Sequence, residues 1–164
     1  MRDKLLILSL ILLLFGGCDG GGNDLLGDLV RAFASQRDDL NEAKKLIQTL
    51  AATEGISGLQ VGALYDESPD RVWLHRDSPS EPVNSISLKA PQSKVTLERL
   101  RTVARKLSCA AVTVDKVSSI RVIMRYKRNS DYGYVSLDPS EGKTPKDGEY
   151  LEIPGEKEWY AYSR

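Results

Sequence analysis

Apolar residues recur along this chain on two different periods, and the two periods divide it into helical and extended parts. Leu26, Phe33, Leu40 and Ile47 stand seven residues apart, with Leu29, Ala43 and Leu50 beside them, so one apolar stripe predicts a long amphipathic helix over 24–54. Asn23 or Asp24 suits its N-cap, Asp28 its early dipole, and Gly55 its C′ position. The polar patch Gln36-Arg37-Asp38-Asp39 weakens the stripe and marks where the helix could break. The stripe can pack on a sheet of the same domain, or pair with a partner or a second copy. A second helix is predicted over 96–107, capped by Thr96, with Leu97, Leu100, Val103, Ala104 and Leu107 on one face.

Elsewhere the period is two. Leu59, Val61, Ala63 and Tyr65 alternate within 57–65, and a second strand follows over 71–75 across the turn-forming 66–70. Pro79, Pro82 and Pro91 make 76–93 mostly irregular, with a short strand over 85–88. Strands over 110–116 and 120–127 follow the second helix. In the latter, Ile120, Val122, Met124 and Tyr126 alternate with Arg121, Ile123, Arg125 and Lys127, which predicts one apolar face and one largely cationic face. The chain turns at 128–131 into a strand over 132–137. A final hairpin pairs 149–153 with 158–162 around Pro154-Gly155-Glu156-Lys157. Mostly hairpin-connected strands with two helices make an α+β fold, an antiparallel sheet over 57–164 covered by helices on one face.

The first residues follow neither period. Arg2 and Lys4 precede an apolar run, Leu5 to Phe15, whose eleven residues cover only about half of a hydrocarbon core. That is the size of a signal-peptide hydrophobic region rather than a spanning helix. Its flank, Phe15-Gly16-Gly17-Cys18, resembles the lipobox of bacterial lipoproteins, with Phe15 where leucine is usual. The resemblance implies a cleaved signal peptide over 1–17 and a Cys18 that carries diacylglycerol and a further acyl chain such as palmitate. Two or more chains anchor stably where one does not. It places the mature chain outside the cytoplasm on the cell envelope, and Asp19 resembles the signal for inner-membrane retention. Residues 18–23 then form the lipidated cysteine and a glycine-rich tether, and 24–164 a single domain.

Composition adds constraints. Removal of 1–17 leaves 147 of 164 residues, enough for one real core. Acids and bases balance overall, but 89–128 holds 11 bases and 2 acids, while 19–88 holds 12 acids and 6 bases. Arg99, Arg101, Arg105 and Lys106 on the second helix, with Arg121, Arg125 and Lys127 on the sheet, form a candidate anion- or partner-binding patch, or they pair with the flanking acids. The aromatics Tyr132, Tyr134, Trp159, Tyr160 and Tyr162 are candidate partner contacts, or core. With Cys18 acylated, Cys109 has no partner and reads as a small buried hydrophobe.

Catalytic patterns fail on inspection. Gly142-Lys143-Thr144 lacks the glycine that a phosphate loop needs, since Leu137 occupies its place, and Ser140 and Lys143 lie in a turn. With one histidine, His75, and one unlipidated cysteine, no metal site and no cofactor beyond the covalent lipid is expected. An extracytoplasmic address disfavours nucleic acid. The expectation is a lipid-anchored, non-catalytic domain that binds another envelope or secreted protein. The alternatives are an assembly lipoprotein that oligomerises through 24–54 and, less favoured, an envelope hydrolase.

Overall fold

The structure, a computed structural model, describes residues 22–62, 71–74, 84–115, 119–127, 130–137 and 150–163. The signal segment, Cys18, His75 and the loop motifs at 138–149 lie outside the described residues.

The seven-residue stripe becomes one continuous helix, α1 (Gly22–Glu54). It has no break at 36–39, because Phe33 and Leu40 on either side are both buried and hold the backbone in register. Its start lies two residues before 24, so Asn23 and Asp24 lie within the helix and not at its N-cap, and the helix includes two residues expected to belong to the tether. Each residue added to a helix already held by packing gains a hydrogen bond for little further cost. The end is as expected: Gly55 has φ +67°, its N–H donates to Ala52 O, and that of Ile56 donates to Ala51 O. This is a Schellman motif, closed by the apolar contact of Ile56 with the core.

The second helix, α2 (Pro91–Lys106), starts five residues before the expected Thr96. Pro91 breaks a helix interior but fits its first position, where no N–H is needed. Thr96 instead bonds Gln92 O from within the helix. No side chain of α2 caps it; the carboxylate of Glu54, at the end of α1, accepts the N–H groups of Lys89 and Ala90 at 3.1 and 3.0 Å. At its far end α2 repeats the Schellman pattern, Ser108 N–H to Arg105 O and Cys109 N–H to Ala104 O. Here the left-handed position is held by Ser108, φ +54°, and not by glycine.

Eight strands form one antiparallel sheet: β1 (Leu59–Gly62), β2 (Arg71–Leu74), β3 (Ser85–Ser87), β4 (Ala111–Val114), β5 (Ile120–Lys127), β6 (Ser130–Ser136), β7 (Tyr150–Glu152) and β8 (Trp159–Ser163). Their order is β3-β2-β1-β4-β5-β6-β8-β7. Two meanders therefore lie side by side, joined by α2 crossing from the edge strand β3 to the central β4. β8 inserts between β6 and β7, so the last hairpin adds its second strand inside its first. The described strands are mostly shorter than the alternating runs that predicted them.

Both helices pack on one face. Leu29, Phe33, Leu40, Ala43, Ile47 and Leu50 of α1 and Leu97, Leu100 and Ala104 of α2 share a core with Leu59, Val61, Val72, Val112, Val122, Tyr134, Trp159 and Ala161. The expected α+β, mainly antiparallel architecture is the one observed. The apolar stripe of α1 is covered by its own sheet.

One feature departs from simple alternation. β5 carries a bulge between Ile123 and Arg125, opposite Gly133 of β6. A Cβ on Gly133 would stand 2.0 Å from the Val122 carbonyl oxygen, so only glycine lets the two backbones approach this closely. Beyond the bulge the faces exchange. Arg125 pairs with Tyr132, which like Tyr134 belongs to the helix side, while Arg121 pairs with Val135 on the opposite side. The single cationic face expected for 120–127 is therefore not formed.

Candidate membrane- and partner-facing surfaces

The seven candidate cations do not share one surface. Along the α1–α2 seam, which runs antiparallel, Arg99 Nε and Nη2 reach Glu42 at 2.6 and 2.5 Å, and Lys106 Nζ reaches Asp39 at 2.6 Å. The Asp39 carboxylate holds the Lys106 ammonium above the usual lysine range. Arg101 is 3% exposed on the other flank of α2 and donates to Glu98 at 3.1 Å. Arg121 lies over the ring of Tyr162, 5.9 Å from its centroid, on the face without helices. Arg105 and Arg125 are exposed and, among the described residues, bridge to no acid. Lys127 ends β5, paired with Ser130.

The aromatic set is divided as well. Tyr134, Trp159 and Tyr162 are buried, so these three follow the core alternative and not that of partner contacts. Phe33 meets Tyr134 edge-on with ring centroids 5.7 Å apart and lies 6.3 Å from Trp159. Each polar tip has a partner: Tyr134 Oη donates to Leu29 O, Trp159 Nε1 to Asn41 Oδ1, and Tyr162 Oη to Asp131 Oδ2, all at 2.9 Å. Burial pushes the Tyr134 hydroxyl up to about 12. Tyr132 and Tyr160 are half-buried. Asn41 and Asp131 carry no local signal of these roles, because their partners are far away in the chain.

The face opposite the helices has its own pattern. One row of cross-strand neighbours crosses all eight strands: Ser85, Trp73, Gln60, Thr113, Arg121, Val135, Tyr160 and Glu152. Its centre is closed, with Thr113 and Val135 at 2% and 1% exposure, and its β7 end is open at Glu152. Neighbouring Tyr150 and Tyr162 pack at 6.3 Å between centroids.

No family model, no curated protein and no solved structure matches this chain. Function must therefore be argued from these surfaces. Cys109 is buried, and loss of water pushes its thiol up to about 12, so it is a packed hydrophobe and a poor nucleophile at neutral pH. Glu54, beside the Ser93 hydroxyl and the Ala90 and Lys89 amides, has its carboxyl held below the usual range, as befits a fixed helix cap. Among the described residues no cluster of histidine, cysteine and acidic side chains could hold a metal ion, and no helix is long and apolar enough to cross a membrane.

Proposed function

We propose that this protein is an extracytoplasmic lipoprotein, anchored through Cys18, whose non-catalytic domain binds another envelope or secreted protein. The observation that carries the anchor is Phe15-Gly16-Gly17-Cys18 at the end of a short apolar run, four residues before α1 begins. A binding role is supported by how the described chemical groups are engaged. Cys109, Glu54, Tyr134 and Trp159 each serve packing or capping, and most helix cations serve ion pairs within the domain. The surface we assign to a partner is the β8–β7 edge, where half-buried Tyr160 and exposed Glu152 share the face without helices and the 41%-exposed Leu151, level with Ala161, stands on the other.

Assembly through the apolar stripe of α1 is disfavoured, because Leu40, Ala43, Ile47 and Leu50 are fully buried against the sheet. Two measurements test the proposal. Palmitate should label the wild-type chain in cells and not Cys18→Ser, which should leave the membrane fraction. Photo-crosslinking from Tyr160 or Glu152 in the native envelope should capture a defined protein, and loss of that adduct in Leu151→Asp should follow. An unlabelled wild-type chain refutes the anchor; crosslinks to no protein refute the binding surface.

A further inference from the structure

The anchor and the fold together fix which end of the domain meets the bilayer, and this inference rests on the lipoprotein reading above. Going from Lys44 back to Leu29, α1 contacts Glu158, then Trp159, then Tyr134, so it runs antiparallel to β8 toward the β5–β6 hairpin end of the sheet. Its first seven residues extend about 10 Å further that way. Cys18 is four residues beyond Gly22, a reach of at most about 14 Å. The same end holds the C-terminus of α2: the Arg105 carbonyl accepts from Ser108, and two residues later Ala110 N–H donates to Ile123 O, beside the bulge that leads to Arg125.

We propose that this end, formed by the start of α1, the end of α2 and the β5–β6 hairpin, rests on the membrane, with Arg105 and Arg125 meeting anionic lipid headgroups. These are the two exposed members of the basic set that ion pairing within the described domain leaves over. Of the acids nearby, Asp28 is paired with Arg31 and Asp39 with Lys106, while Asp131 accepts from the Tyr162 hydroxyl and keeps its charge, as does exposed Asp38 beside Lys106. Lys127 closes β5 at the same end. A short tether keeps both arginines near the surface, where anionic lipid attracts each basic side chain and the attraction decays within a Debye length.

The test uses the acylated protein reconstituted in vesicles of phosphatidylcholine, with or without phosphatidylglycerol. A fluorophore on Ser108→Cys reports the proposed contact end and one on Thr53→Cys the opposite end; quenching by headgroup-spin-labelled lipid is read. The Ser108 reporter should be quenched on anionic vesicles and released by salt, while the Thr53 reporter stays bright. Arg105→Glu and Arg125→Glu should each lower the docked-to-undocked ratio about fivefold or more. Lys45→Glu, exposed on the distal half of α1, should leave it unchanged. Quenching indifferent to salt and to both reversals, or stronger at Thr53, overturns the orientation while the anchor stands. A chain that takes up no acyl label overturns both.

Discussion

Both helices end in the same hydrogen-bonded motif, but Gly55 occupies the left-handed position in one and Ser108 in the other. A side chain in that conformation costs roughly 1–2 kcal/mol, because its Cβ crowds the following carbonyl. Ser108→Gly removes this cost but returns about 0.4–1 kcal/mol through the freer unfolded chain. The net gain is about 0.5–1 kcal/mol. Gly55→Ser should run the other way by a similar amount, since nothing lies within 4 Å of a Cβ built there and the cost is backbone alone. On a chain of this size, each kcal/mol moves Tm by about 3 °C. The assay is thermal and guanidinium unfolding of the mature chain carrying Cys18→Ser, followed by circular dichroism, with both variants measured against the same parent. Opposite shifts of similar size are expected. If Ser108→Gly is neutral or destabilising while Gly55→Ser is costly, the serine side chain holds α2 and the backbone argument fails.

Gly133→Ala should destabilise by several kcal/mol or prevent folding, since its Cβ would overlap the Val122 carbonyl and the backbone opposite the bulge cannot yield cheaply; unfolding midpoints decide it. Glu54→Gln should cost about 1 kcal/mol at neutral pH, in the range of a lost helix cap. Because the folded Glu54 carboxyl lies below 4.5, its contribution is complete above that pH and is lost as pH falls through the folded value, so the variant should show a flatter acid limb of stability. Tyr134 runs from 10.0 to about 12 on folding, so its contribution is complete below pH 10 and is lost as pH rises toward 12; Tyr134→Phe should flatten that alkaline limb and cost about 1 kcal/mol at neutral pH. Glu42→Arg with Arg99→Glu should show a coupling below about 1 kcal/mol that vanishes in high salt, as expected of a pair whose arginine side chain is 67% exposed.

What was legible in advance was whatever depends on near neighbours. The stripe of α1, the alternation of β1 and β5, and Gly55 as a helix stop each follow from a few adjacent residues. Pro91 misled because a proline ends one helix and begins another equally well, and the cap that decides between them is Glu54, 36 residues away from Ala90. The bulge at 123–125 was hidden for a related reason: Ile123 and Met124 look like ordinary alternation until Gly133 stands opposite. Trp159 and Tyr162 could not be assigned to core or surface before β8 was seen to lie inside β7. The candidate surfaces depend on these same long-range choices: the sequence supplies their residue types, and only the fold decides which of them stand together.

The uneven charge along the chain has a physical use that its blocks alone conceal. α1 carries acids and cations on different flanks. Asp39 and Glu42 face Lys106 and Arg99 of α2, while Arg37 and Lys44 face Glu156 and Glu158 in and beside the β7–β8 turn. Each exposed pair is worth little by itself. Reversing α1 on the sheet would swap its flanks and set like charges together on both seams, and a seven-residue slip, which its apolar stripe would tolerate, would leave Lys106 and Arg99 facing neutral residues in place of Asp39 and Glu42. The pairs therefore act on register more than on stability. A fixed register matters because α1 is the element that continues from the proposed anchor, and it sets where the start of the helix, and with it Cys18, lies relative to Arg105 and Arg125. Two members of the basic block, Arg99 and Lys106, thus hold the helix in place, while Arg105 and Arg125 stand at the end where a tethered domain would meet its membrane.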